Sequence, residues 1–196
     1  MTAQDISTGQ WSWPLRLIHL LLAAAVTAQL FVGSFMHSPH RGRPDTLGFE
    51  THEVLGATIL TLIIVHWLWS FTHPHEGLRQ LFPWTRAGIR NVVAELWTAV
   101  RYQRLPTGAP RNDAGGLAGF VHGLGLLAIT AMAATGASYY LSRMAGASHD
   151  SLELIEDIHD TFAVIAWIYW GGHLGATVLH SLLRQPVWKR MFSLGS

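Results

Sequence analysis

Residues 158–183, IHDTFAVIAWIYWGGHLGATVLHSLL, constrain what this chain can fold into more than any other stretch. The segment is apolar enough and long enough to span a bilayer, since ~20 such residues at 1.5 Å each cover the hydrocarbon core. Yet it carries His159, His173 and His180. At 100° per residue, the step from His159 to His173 returns to within ~40° of the same face while advancing ~21 Å along the axis. His180 follows within ~20° of the direction of His173. Imidazoles on one stripe of a membrane helix imply something inside a bundle that uses nitrogen ligands.

Three further apolar spans accompany it, about 14–35, 52–71 and 117–141, with the last at 158–183. No soluble domain fits between them, so the expected fold is an all-α membrane protein, a four-transmembrane-helix bundle forming a single domain over 1–196. Composition agrees: of 196 residues, 13% are charged and 49% hydrophobic. The absence of Cys excludes disulfides, Fe–S clusters, CxxCH haem attachment and thiolate haem ligands. MTAQDISTGQWSWP lacks a basic n-region and a small-residue cleavage site, so no signal peptide is expected. Several Trp and Tyr stand at span ends, where aromatic belts sit, whereas Trp167 and Trp170 fall mid-span.

Lys and Arg set the orientation. Arg16, Arg79, Arg86, Arg90, Arg101, Arg104, Arg111, Arg184, Lys189 and Arg190 share one side with both termini. Only Arg41, Arg43 and Arg143 lie on the other, beside Asp150, Glu153, Glu156 and Asp157. Both termini are therefore expected in the cytoplasm. Within the 72–116 loop, Ile89, Val92, Val93, Leu96, Trp97 and Val100 recur at helical spacing between flanking arginines. That pattern predicts an amphipathic interfacial helix over about 83–104, followed by a turn-rich linker, RLPTGAPRNDAGG. Nothing in the charge distribution points to nucleic acid.

With this orientation, His52 and His159 lie near the periplasmic side, and His19 and His173 nearer the cytoplasm. Two pairs at two depths are what two bis-histidine b-type haems require. Ala23, Ala24, Ala25, Gly56, Gly171, Gly172 and Gly175 would let a macrocycle approach the backbone. Structural zinc wants three or four ligands at one depth, usually with Cys. A proton-coupled transporter would carry Asp or Glu inside the spans. His66 and His122 stay open: either could replace an inner ligand, line a quinone pocket, hydrogen-bond within the bundle, or share a third haem. His180, about two turns below His173, is the candidate catalytic residue, since quinol oxidation releases protons that an imidazole can accept. His37, His40, His73, His75 and His149 fall in loops and are expected to be solvated.

RLIHL in span 1, THEVLG at the head of span 2 and IHD…GGH…LH in span 4 resemble the prokaryotic cytochrome b561 family. They also resemble its relatives, the b-type cytochrome subunits of membrane-bound nickel–iron hydrogenases. The resemblance covers all four spans and implies a di-haem, quinone-linked electron carrier of the bacterial inner membrane. It implies His19, His52, His159 and His173 as haem ligands and places His180 beside the inner haem. The expected function is electron transfer between the quinone pool and a periplasmic redox protein or dehydrogenase subunit. The alternative is a stand-alone quinone-linked oxidoreductase acting on a small periplasmic species such as superoxide, steered by Arg41, Arg43 and Arg143.

Overall fold

The computed structural model describes residues 11–36, 46–102 and 116–183. Arg41, Arg43, Arg104, Arg111, Arg184, Lys189, Arg190, His37, His40 and the linker up to residue 115 lie outside the described residues. Among the described residues, four long helices form: α1 (Trp13–Phe35), α2 (Leu47–Thr72), α5 (Leu117–Met144) and α6 (His149–Leu182). Between α2 and α5 come the short α3 (Leu78–Leu81) and α4 (Arg86–Tyr102). All four long helices are long and apolar enough to cross a membrane. Large apolar side chains such as Phe31, Ile64, Leu68, Leu124, Ile165 and Ile168 point outward from them. Such surface suits lipid chains, because the helical backbone satisfies its own hydrogen bonds.

Two helices start earlier than their apolar spans. The Thr46 hydroxyl accepts the Phe49 N–H at 3.2 Å and Glu50 lies in the first turn, so α2 begins at Leu47 and His52 falls in its second turn. Ser148 likewise accepts the Ser151 N–H at 3.3 Å, and α6 begins at His149. The 34 residues of α6 span ~51 Å, more than a ~30 Å hydrocarbon core. Asp150, Glu153 and Asp157 therefore sit on an exposed helical extension of the last span. The α5–α6 turn closes through Gly146, at φ 73°. Its N–H donates to Arg143 O and the Ala147 N–H to Ser142 O, at 3.1 and 3.0 Å, the paired bonds of a Schellman stop.

The described residues divide into two compact units, and each long helix contributes to both: residues 11–17, 66–102, 116–126 and 171–183 form one, residues 18–36, 46–65 and 127–170 the other. In the first, Trp67 stacks on Phe82 at 5.9 Å. Gln80 O and Leu81 O of α3 press on Gly119 and Gly123 of α5, where any Cβ would strike them. A small-xxx-small face thus admits a neighbouring backbone. The expected helix of the 72–116 loop is α4, and its middle is tied to the start of α5: Glu95 Oε2 accepts the Leu117 N–H at 2.9 Å. Gly88, Asn91, Val92 and Glu95 face inward on α4, while Ile89, Val93, Leu96, Trp97 and Val100 are exposed. His73, expected to be solvated, is half-exposed, stacking on Trp69 at 3.9 Å and meeting the exposed Thr72 hydroxyl at 2.9 Å.

In the second unit, the Trp170 indole N–H donates to Thr27 Oγ1 at 2.9 Å, and Phe31 packs edge-on against Trp167 and Trp170. The two mid-span tryptophans therefore contact α1. An indole donor in an apolar bundle needs such a partner.

Candidate functional site

In the second unit, α1, α2, α5 and α6 surround two imidazoles. His52 and His159 meet edge to face with ring centres 6.1 Å apart. Each ring rests against a glycine of another helix. A Cβ at Gly33 would lie 3.1 Å from His52 Cε1, and one at Gly136 would lie 3.2 Å from His159 Cε1. Ordinary carbon contacts are ~3.5–4.0 Å, so a larger residue at either place moves a ring.

Hydrogen bonding shows how the rings are presented. Thr135 Oγ1 donates to Met132 O at 2.9 Å and lies 2.9 Å from His159 Nδ1. With the hydroxyl proton given to Met132 O, the hydroxyl oxygen accepts from Nδ1–H, and the Met132 carbonyl also hydrogen-bonds the His159 ring. His159 Nε2 then holds the lone pair. On the other side, Gln29 Nε2 donates to the His52 backbone O at 3.0 Å, an approach that Gly56 leaves open. His52 Nδ1 and Gln29 Oε1 are buried with no hydrogen-bond partner among the described residues. Buried polar atoms are ordinarily paired, and such orphans accompany sites where a further group binds.

These residues fit a histidine-held haem iron. Metal–imidazole bonds of ~2.0–2.1 Å on both sides of one ion separate the ring centres by about 6 Å, close to the 6.1 Å seen here. Nearby, Arg143 Nη1 lies 3.9 Å from Glu53 Oε1, and its guanidinium sits over the Phe49 ring at 5.3 Å.

His173 belongs to the first unit, where its ring meets that of His122 edge to face at 4.9 Å. His122 Nδ1 lies 2.6 Å from Ala118 O, so this nitrogen carries the proton and Nε2 the lone pair. A spacing of 4.9 Å is shorter than the ~6 Å of two imidazoles on opposite sides of one metal, but it suits two imidazoles on adjacent positions of a tetrahedral ion, and His122 and His173 each offer a ligand nitrogen within 4.8 Å of the other. His66 Nδ1 lies 3.3 Å from the hydroxyl of Ser70, which is fully buried. His180 is half-buried in the last turn of α6. His19 lies half-buried on α1, in the second unit.

Among the small residues expected to cradle a macrocycle, Gly171, Gly172 and Gly175 are open: a Cβ added at any of them would meet no described atom within 4 Å. Gly56 instead adjoins Gln29. Gly33, Gly136, Thr135 and Gln29 belong to the site although no sequence motif marks them. One signal was available: Gln29 and Gly33 stand four apart, on one face of an apolar helix.

No curated protein and no solved structure gives a significant match to the chain. The family model described as prokaryotic cytochrome b561 matches residues 10–194. That family implies a multi-pass bacterial membrane protein that transfers electrons through haem b bound by histidines. With four apolar helices among the described residues, histidines within all four and a match over nearly its whole length, the chain belongs to the prokaryotic cytochrome b561 family.

Proposed function

We propose that this protein is a di-haem cytochrome of the bacterial inner membrane that passes electrons between the quinone pool and a periplasmic redox partner. The observation that carries the reading is the His52–His159 pair, with rings 6.1 Å apart and the His159 Nε2 lone pair left free by Thr135. Haem b, when bound, supplies a one-electron iron couple. His52 and His159 hold the outer haem, and His19 and His173, matched in depth along their helices, hold the inner one. The close contact of His122 with His173 would put His122 beside the inner haem that His173 would help to hold. His180 takes up a proton as quinol is oxidised, since an imidazole nitrogen can accept one.

Residues 1–196 act as one functional domain with both termini in the cytoplasm, in accord with the Lys/Arg asymmetry. The apolar stripe of α4 then lies on the cytoplasmic leaflet with Arg86, Arg90 and Arg101 beside it. Its tie to the first residue of α5 through Glu95 supports that level. On the periplasmic side, the exposed carboxylates Asp150, Glu153, Asp157 and Asp160 at the head of α6 suit a partner with a basic patch. They also repel small anions. Arg143 is engaged by Glu53 and Phe49, which weakens the case for superoxide steering.

Haem stoichiometry and spectra test the proposal. The purified protein should show b-type bands and about two haems per chain. His52→Ala or His159→Ala should remove one haem, and His19→Ala or His173→Ala the other. A folded protein without haem would refute the reading, and dispensable His19 with essential His122 would refute the inner pairing.

A further inference from the structure

We infer that Thr135 is a positioning residue for the outer haem: its hydroxyl fixes the tautomer of His159 and, through it, the reduction potential of the iron that His159 holds. This rests on the reading of His159 as a ligand and concerns a residue that carries no metal contact of its own.

A two-step relay presents the ring. His159 Nδ1–H donates to Thr135 Oγ1 at 2.9 Å, and Thr135 Oγ1–H donates to Met132 O at 2.9 Å. Met132 lies three residues before Thr135 in α5, so the hydroxyl is aimed by its own helix. Gly136, next in sequence, lets the His159 ring lie against the same stretch, with Cε1 3.2 Å from where a Cβ would be. Thr135 and Gly136 together thus set the height, plane and protonation of one imidazole. A ligand imidazole whose second nitrogen donates a hydrogen bond is a more basic ligand, and a more basic ligand favours ferric over ferrous iron. The partner ring differs: His52 Nδ1 has no hydrogen-bond partner among the described residues. Ligand basicity at the outer haem is therefore adjusted from the His159 side.

The test uses the full-length holoprotein and two variants. Thr135→Val keeps the β-branched shape and removes the relay, and Thr135→Ser keeps the hydroxyl. Losing such a partner typically weakens metal affinity by ~10–100-fold. If ferric iron loses ~10-fold more than ferrous, the potential of one haem rises by ~59 mV in a one-electron titration. Thr135→Val should show that rise, with an altered low-spin signal, while Thr135→Ser stays near wild type. If Thr135→Val loses the outer haem outright, retention of that haem by Thr135→Ser carries the same conclusion. Two haems with unchanged potentials in Thr135→Val would overturn the inference and leave the ligand assignment standing. A Thr135→Ser variant as impaired as Thr135→Val would also overturn it. Two intact haems in His159→Ala would instead refute the ligand reading itself.

Discussion

Replacing Gly33 or Gly136 by Ala tests the site through its tightest contacts. In an ordinary helix, Gly→Ala gains ~0.8–1.0 kcal/mol. Here the new methyl would lie 3.1 Å from His52 Cε1 in one case and 3.2 Å from His159 Cε1 in the other. Each imidazole must recede by a few tenths of an ångström, and overpacking of that kind costs ~1–3 kcal/mol. The balance is a loss of up to ~2 kcal/mol, falling on a ring that the proposed outer haem site uses. That corresponds to up to ~30-fold weaker retention of one haem, while the other keeps its spectrum. Because both substitutions act on one pair, the double variant should not be additive. Gly171→Ala is the control, since no described atom lies within 4 Å of its Cβ position. Pyridine haemochrome content, reduced-minus-oxidised spectra and thermal unfolding of the purified protein read all three. If Gly33→Ala and Gly136→Ala match Gly171→Ala in haem content and stability, the rings do not rest on those glycines and the expected loss is refuted.

Two other outcomes follow from residues away from that pair. On the proposed di-haem, quinone-linked reading, His180→Asn should keep both haems and slow reduction by quinol; loss of a haem would make His180 a ligand instead. Gly146→Ala should lower stability by ~1 kcal/mol, because φ is 73° and a side chain disfavours left-handed backbone. Gly146→Asn should cost less, and an Ala variant as stable as wild type in thermal unfolding would contradict the Schellman stop.

The four spans were legible in the sequence because a bilayer imposes a length and an apolarity that can be counted along the chain. The similar depth of His52 and His159 was legible too, since helical rise is a local property. So was α4, as a run of Ile89, Val93, Leu96 and Val100 at helical spacing. The ends of helices were less so: apolarity marks where lipid begins, whereas Thr46 and Ser148 cap α2 and α6 several residues earlier. Contacts between residues remote in sequence emerged only from the folded bundle. Gly33 against His52, Gly136 and Thr135 against His159, and Gln29 on the His52 carbonyl depend on how helices rotate about their axes. The same holds for His122 against His173. The phase of one apolar helix leaves that rotation undetermined, because in lipid both faces of the helix are greasy. Packing of small residues and pairing of the few polar atoms settle it.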